Sequence, residues 1–127
     1  MASSIQDCPV IVVAHVLGKK WSIPIIEEIA LSEGEVQFNT LKRSLKGITA
    51  RNLSESLGML RAEGIIRKRR VIVNNVGYAR YNLTKKGASV KKVIDGMKEL
   101  GIEWYGTNPN CKNTKCSNCA YLTNVSN

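Results

Sequence analysis

Hydrophobic positions recur at helical spacing over the first third of the chain and predict two short helices there. Residues 9–17 are apolar nearly all round, so we expect this first helix to be buried or to lie against a partner. Pro9 falls in its first turn, where a helix tolerates proline, and this makes Cys8 a candidate N-cap. A second helix is predicted to begin at Ser22. Its inward-facing positions are expected to be Ile25, Ile26 and Ile29.

Two further helices joined by a short turn are typical of a helix-turn-helix. Asn39 is a favourable N-cap for the first of them, and Gly47 suits its C-terminal cap. Thr49 can cap the second helix, which is expected to end at Gly64. The connection is about three residues long, as in helix-turn-helix motifs. The apolar stripe of the second helix consists of Leu53, Leu57 and Leu60.

The pattern then changes to strand-like segments and returns to a helix. Residues 65–73 and 78–83 predict two strands around the turn sequence NNVG, and residues 84–105 predict a last helix. This order indicates a mostly α fold with a small β-hairpin (α+β), a winged helix-turn-helix DNA-binding domain over residues 1–105. Residues 106–127 form a cysteine-containing C-terminal tail.

Positive charge is concentrated in one contiguous part of the 127-residue chain. Residues 42–92 hold fourteen Lys and Arg against Glu55 and Glu63, a net charge of +12 in a chain whose total is +9. This concentration favours a polyanion, most simply double-stranded DNA, over a merely solvated surface. The apolar run at 9–17 is too short to span a membrane and follows no basic segment. We therefore expect a cytoplasmic protein with no membrane partner.

The second helix of the helix-turn-helix, the recognition helix, has a small and polar face opposite its leucine stripe. There Arg51 can donate two hydrogen bonds to guanine, Asn52 can pair with adenine, and Glu55 can accept from cytosine. The supporting helix and the hairpin flank the groove in winged helices, so their cations are expected at phosphates. The predicted DNA-binding residues are Lys42, Arg43, Lys46, Thr49, Ala50, Arg51, Asn52, Ser54, Glu55, Lys68, Arg69, Arg70 and Arg80.

Five segments over residues 8–104 together resemble the HxlR-type family of winged helix-turn-helix transcriptional regulators. They are CPV, GKKW, FNTLKRSLKGI, LSESLGMLRAEGII and YARYNLTKKG, in this order. The resemblance implies a homodimer formed largely by the first and last helices, with two recognition helices on a pseudo-palindromic operator. The apolar first helix and the apolar stripe of the last helix agree with it. The expected interface residues are Val13, Leu17, Val90, Val93, Ile94, Met97, Leu100 and Trp104.

The resemblance also implies a redox-sensing role for Cys8. In several family members a cysteine immediately before the proline of the first helix senses oxidants, quinones or aldehydes, and CPV reproduces that position. The unpaired amides and the dipole at a helix N-terminus stabilise a thiolate, although Asp7 next door opposes this. The alternative is a small half-buried residue without a chemical role.

The other three cysteines lie in the tail, within the sequence CKNTKCSNC. The spacing C-x4-C-x2-C of Cys111, Cys116 and Cys119 suits a soft metal centre, either Zn(II) or an iron–sulfur cluster. A plant-type [2Fe–2S] pattern begins in this way but needs a fourth cysteine further along, and none follows. Cys8, a tail cysteine of a second subunit or water would have to complete the ligands. Disulfide switching and an inert tail are the alternatives.

These observations predict a sequence-specific DNA-binding regulator, a repressor, that responds to redox or electrophile stress through cysteine. Alternatives are a metal- or iron–sulfur-dependent regulator and a winged-helix protein-interaction module, although the latter does not require a concentrated basic charge. A thiol oxidoreductase is disfavoured because CSNC lacks the βαβ context of such enzymes. His15 lies in the apolar first helix and is expected to be a packing residue, so we predict no enzymatic activity.

Overall fold

The chain forms a winged helix-turn-helix with one additional strand. The structure, a computed structural model, describes residues 8–32 and 34–106. Its elements are α1 (Pro9–Leu17), α2 (Ser22–Leu31), β1 (Val36–Gln37), α3 (Phe38–Ser44), α4 (Ala50–Ala62), β2 (Ile66–Val73), β3 (Val76–Leu83) and α5 (Lys85–Tyr105). The predicted order of helices and hairpin is thereby confirmed.

The sheet has three antiparallel strands, whereas the sequence predicted a hairpin alone. β1 pairs with β3, with Val36 opposite Tyr81, which gives the strand order β1-β3-β2. β1 is two residues long and leads directly into α3, so no alternation of polar and apolar positions marks it. Val36 and Tyr81 are both buried, and this pairing joins the helix-turn-helix to the hairpin.

The predicted boundaries of α3 are wrong at both ends. The helix begins at Phe38, after the extended residue Gln37, so Asn39 lies inside the first turn instead of capping it. It ends at Ser44, and Gly47 takes a positive φ of 92° in the following turn. The strand that precedes α3 sets its start, and the sequence pattern did not reveal that strand.

The hairpin turn is shorter than the predicted NNVG. Asn74 and Asn75 form it with φ values of 53° and 65°, and β3 already begins at Val76. Positive φ at both central residues gives the backbone twist that suits a two-residue hairpin, and asparagine accepts this conformation better than most residues. β2 and β3 then pair without interruption from Ile66–Leu83 to Val73–Val76.

Both ends of α4 are capped as the sequence predicted. Thr49 Oγ1 accepts a hydrogen bond from the Asn52 N–H at 3.0 Å. At the other end Gly64 has a φ of 75°, and the Ile65 N–H donates to the Leu60 carbonyl at 2.9 Å. This is a Schellman ending, which turns the chain directly into β2.

The core lies between the helix-turn-helix and the base of the sheet. The leucine stripe of α4 packs there, together with apolar side chains of α2 and α3. Its fully buried apolar side chains are Ile25, Ile26, Leu41, Leu45, Leu53, Leu57, Leu60, Ile65 and Ile94. Burying each such side chain contributes about 1.5–3 kcal/mol, so α4 is held with its opposite face outward.

α1 does not join this core along its whole length. Its residues from Pro9 to His15 are exposed, and Val16 and Leu17 are buried at its end. His15 does not pack in this core, so its role as a packing residue stays a prediction for a contact with a partner. Among the described residues no single helix is both long and apolar enough to cross a membrane, although α1 and α2 together, bent by 82°, satisfy that length and composition criterion.

The beginning of α5 lies close to the junction of α4 and β2. Thr84 Oγ1 accepts from the Gly87 N–H at 3.0 Å, and its hydroxyl donates to the Ile65 carbonyl at 3.1 Å. A Cβ atom at Gly87 would overlap that same carbonyl oxygen. Glycine at this position therefore allows α5 to approach the junction.

We expect Gly87→Ala to destabilise the fold by about 1–3 kcal/mol, because the added methyl group overlaps backbone that cannot easily move. Gly96→Ala is the matched control on the same helix, since nothing lies within 4 Å of a Cβ there. Alanine favours a helix interior by about 0.5–1 kcal/mol over glycine, so the control is expected to stabilise. Urea unfolding followed by circular dichroism measures the free energy of unfolding of both variants. Changes of the same sign in the two variants would contradict this explanation of Gly87.

Candidate nucleic-acid interface

The outer face of α4 is polar and open to solvent. The predicted residues Ala50, Arg51, Asn52, Ser54 and Glu55 are all exposed, and Arg51 and Glu55 point directly away from the buried leucine stripe. Arg51 Nε lies 3.2 Å from Glu55 Oε1, one turn further along, and both side chains are well exposed. The two predicted base-reading groups of opposite charge thus form a surface pair, which water screens and which opens at little cost.

The predicted cations of the supporting helix are accessible to solvent. On α3, Arg43 is exposed and Lys42 is half-buried, and Lys46 is exposed in the turn that follows. Thr49 is exposed as well, but its hydroxyl already caps α4.

The strand register separates the RKRR sequence onto two faces of the hairpin. Lys68 lies opposite Tyr81 and Arg70 opposite Ala79, on the face that turns toward α4. Arg69 lies opposite Arg80 on the other face. The basic residues of this strand therefore serve two surfaces.

Arg69 and Glu35 form an ion pair on the face away from α4. Arg69 Nε donates to Glu35 Oε2 at 2.8 Å, and its second nitrogen reaches Oε1. The hydrogen bond from Arg69 holds the pKa of the Glu35 carboxyl below its ordinary value, and the charge of Arg80 acts in the same direction. Glu35 precedes β1, so the short strand brings a counterion to a cation that the sequence had assigned to DNA.

A crevice of about 380 Å³ separates α4 from the hairpin. It is lined by Phe38, Ser54, Leu57, Gly58, Arg61, Lys68, Arg70, Gly77, Ala79 and Tyr81. Three cations, Arg61, Lys68 and Arg70, converge on it, and no ion pair engages them within the described part of the chain. Burial raises the pKa of the Tyr81 hydroxyl, against a smaller opposite effect of Arg61, so the tyrosine adds a neutral hydroxyl group.

Arg61 is not among the residues predicted from the sequence to bind DNA. Arg61 follows Ser54 and Leu57 at helical spacing on the α4 face toward the hairpin, a face that exists only once the hairpin has folded back. Apart from its positive charge, nothing in the sequence around Arg61 indicates that it faces the hairpin. Arg61 of α4 and the cations of the hairpin are therefore brought to one crevice only by the tertiary structure.

The predicted interface residues fall into two groups. Leu17 and Ile94 are buried in the chain's own core, and Val90 is half-buried against it, so these three offer little surface to a second molecule. The remaining five are exposed: Val13 at 41%, Val93 at 47%, Met97 at 46%, Leu100 at 55% and Trp104 at 73%.

Between α1 and α5 the exposed apolar residues line an open groove of about 540 Å³. Pro9, Val10 and Val13 form one wall, and Val93 and Met97 form the other. An exposed apolar groove of this kind is a candidate surface for contact with another molecule.

Cys8 immediately precedes α1, is half-buried, and has no disulfide partner among the residues that the structure describes. Its neighbour Pro9 lines the apolar groove, so a chemical change at Cys8 would occur beside that groove. Cys111, Cys116 and Cys119 lie outside the described residues. Within residues 8–32 and 34–106, no three His, Cys, Asp or Glu side chains cluster as metal ligands would.

Comparison with known proteins identifies the same architecture. An uncharacterized HTH-type transcriptional regulator of Halalkalibacterium halodurans is 30% identical over 100 residues, which cover 79% of this chain and 87% of that protein. A structure named as a transcriptional regulator of the MarR family from Porphyromonas gingivalis W83 superimposes with a TM-score of 0.68 at 27% identity, over 82% of this chain and 97% of that one.

The redox regulator HypR is similar in its reduced form, with 29% identity and a TM-score of 0.66 over 74% of this chain and 90% of that one. The sequence profile of the HxlR-like helix-turn-helix family matches residues 16–109, which include every described helix from α2 to α5. On this evidence, together with the winged helix-turn-helix fold, the chain belongs to the HxlR-like helix-turn-helix family of transcriptional regulators.

Proposed function

We propose that this chain is a homodimeric repressor that binds a pseudo-palindromic DNA operator through α4 and the β2–β3 hairpin. The observation that carries the proposal is the crevice between them, where Arg61, Lys68 and Arg70 lack acidic partners within the described residues. Three unpaired cations that converge on one crevice repel one another unless an anion joins them. A phosphodiester strand is an anion of suitable shape and charge.

The position of the crevice supports this assignment. When α4 lies in the major groove, the hairpin beside it reaches the adjacent minor groove. The phosphate strand between the two grooves then runs along the crevice. Arg61 would contact it from α4, and Lys68 and Arg70 from β2, while Arg43 and Lys46 would contact the strand on the other side of the major groove.

Base reading is assigned to the outer face of α4. Arg51 and Glu55 form an exposed ion pair in the free chain. On binding the operator this pair would open, and Arg51 would then contact guanine and Glu55 would contact cytosine. Asn52 is free to pair with adenine through its side chain, since only its backbone N–H takes part in the cap. Binding of such an operator within a promoter would repress transcription.

Dimerisation is assigned to the apolar groove between α1 and α5. Residues 9–15 of α1 and the outer part of α5 are apolar yet exposed, which is costly for an isolated domain in water. A second copy related by a two-fold axis would cover both faces and place two copies of α4 at one operator. The interface proposed for each subunit is therefore Val13, Val93, Met97, Leu100 and Trp104, with Leu17, Val90 and Ile94 behind it.

Redox control is assigned to Cys8. It lies at the start of α1 beside the apolar groove, so oxidation or alkylation there would add polar or bulky atoms at the proposed interface. The similarity to HypR, a redox regulator solved in a reduced and an oxidized form, supports the same assignment.

DNA binding is expected to weaken with salt. If each dimer neutralises about six to ten phosphates, log K falls against log salt with a slope of about −5 to −9. Arg70→Ala removes one unpaired crevice cation per subunit and is expected to make the slope shallower by about 2 per dimer, equally for all sequences. Fluorescence anisotropy with a selected operator and a scrambled duplex measures this.

Arg69→Ala is the matched control, because it removes the same charge from the next residue of the strand. Arg69 is already paired with Glu35 on the opposite face, so we expect a clearly smaller change of slope. Equal changes in the two variants would refute the assignment of the phosphate strand to the crevice, and a flat salt response of the wild type would refute DNA binding altogether.

The proposed interface predicts that Met97→Glu yields monomers, because dimerisation would bury a carboxylate without a partner. Analytical ultracentrifugation is expected to show a monomer with much weaker operator binding. Lys92→Glu introduces the same group on the exposed opposite side of α5 and is expected to leave the dimer intact. Dimers in both variants would place the interface elsewhere.

Diamide or peroxide is expected to reduce operator affinity of the wild type, and Cys8→Ser is expected to abolish this response. The matched variant replaces Cys111, Cys116 and Cys119 by serine and retains Cys8. Its affinity is expected to respond to oxidant as the wild type does. A response that persists in Cys8→Ser but is lost in the tail variant would assign sensing to the tail, and a zinc and iron assay of anaerobically purified protein would then separate metal binding from disulfide chemistry.

A further inference from the structure

A buried carboxylate connects α2 to α5. Glu27 is 0% exposed, and both of its carboxylate oxygens are shielded from water. Two lysines of α5 reach the same atom, with Nζ of Lys91 3.2 Å and Nζ of Lys98 3.0 Å from Glu27 Oε1. Lys91 also pairs with Asp95 on its own helix. The cluster thus contains two ammonium groups and two carboxylates.

The cluster favours the charged form of Lys91. Burial lowers the pKa of Lys91, but the hydrogen bond to Asp95 and the charge of Glu27 outweigh it, and the net shift is upward. Lys98 is 9% exposed at its side chain, and Glu27 is its ion-pair partner. Buried charges tolerate little displacement, because a charge that loses its partner in a dry environment is strongly disfavoured.

The spacing of the two lysines constrains α5 in two directions. They are seven residues apart, which places them on one side of the helix and about 10 Å apart along its axis. Both ammonium groups meet a single carboxylate from α2. Sliding α5 along its axis, or rotating it about that axis, would draw at least one lysine away from Glu27.

The apolar attachment of α5 to its own domain is narrow by comparison. Of its residues, all of which the structure describes, Gly87 and Ile94 are buried along one line of the helix, and Val90 is half-buried beside that line. Lys91 and Lys98 lie about 50° to one side of this line. Val93, Met97, Leu100 and Trp104 lie on its other side and are exposed.

We propose that the Glu27–Lys91–Lys98 cluster fixes the direction in which α5 leaves the domain, and thereby sets the spacing of operator half-sites that the dimer accepts. The inference rests on the proposed homodimer, in which the outer part of α5 contacts the second copy. Glu27, Lys91 and Lys98 are positioning residues here, because they act through α5 and do not touch DNA.

The length of α5 amplifies small changes at the cluster. From Ile94 to Tyr105 the helix extends for about 16 Å, so a tilt of about 10° moves its end by about 3 Å. This is close to the rise of one base pair in B-form DNA, about 3.4 Å. Each added base pair also rotates one half-site by about 35° about the DNA axis, so loosening the cluster would weaken the preference for one separation without removing it.

The direct test measures the distance between the two copies of α4 in the dimer without DNA. Nitroxide labels are attached at Ala62→Cys in the full chain with its four native cysteines replaced by serine, and double electron–electron resonance gives the distance distribution. We expect a narrow distribution in this background. Glu27→Gln and, independently, Lys98→Met are expected to broaden it to about twice its width or more, as a tilt of about 10° implies. Lys92→Met, an exposed lysine of the same helix, is expected to leave it unchanged.

The double variant Glu27→Gln with Lys98→Met separates positioning from stability. It removes one charge of each sign and leaves the Lys91–Asp95 pair, so its thermal stability is expected to recover toward that of the parent. The distance distribution is expected to stay broad, because the second attachment of α5 is still missing. A distribution that narrows as stability recovers would show that the cluster serves stability alone and would overturn the inference.

The operator readout uses duplexes in which the half-site separation varies by one base pair at a time. The single variants are expected to lose about two- to thirtyfold in affinity for the preferred separation, and their preference over neighbouring separations is expected to shrink. If the parent is a dimer and its variants keep both the distance distribution and the spacing preference, the inference is overturned while the proposed dimer stands. A parent that sediments as a monomer would overturn it together with the proposed dimer.

Discussion

Burial of the leucine stripe of α4 is the constraint on which the other features depend. Leu53, Leu57 and Leu60 pack against apolar side chains of α2 and α3, and this fixes which face of α4 points outward. The Schellman ending at Gly64 then leads the chain into β2 at a defined angle, so the hairpin returns alongside α4. Both walls of the crevice, and the polar face beside it, follow from that one packing arrangement.

The cations of this fold are of two kinds, those with an acidic partner in the chain and those without one among the described residues. Where a cation has an intramolecular partner, as Arg69 has with Glu35, it contributes to the fold and is partly neutralised. Where cations converge without a partner among the described residues, as in the crevice, an external anion would relieve their mutual repulsion. The net positive charge of residues 42–92 therefore overstates the number of cations available to a phosphate strand. The intramolecular ion pairs identify which cations remain available.

α5 combines two functions that require different surfaces. Its buried line and the Glu27 cluster attach it to the domain, while its exposed apolar side is left for a partner. The close approach at Gly87 fixes one end of this helix. In the proposed homodimer, a helix held in this way would transmit the geometry of one subunit to the other.

The sequence by itself determined the order of the helices, the caps at Thr49 and Gly64, the buried leucine stripe and the polar outer face of α4. These features depend on residues that are close together in the chain, so the local pattern of apolar, polar and capping residues predicts them. It did not determine β1, the start of α3, the partner of Arg69, the role of Arg61 or the cluster at Glu27. Those depend on residues that are distant in sequence, such as Glu35 and Arg69 or Glu27 and Lys98, and they meet only when the sheet and α5 have packed. Tertiary structure therefore decided which charges are neutralised and which are left for a ligand, because electrostatic energy depends on distances in space that the order of residues does not specify.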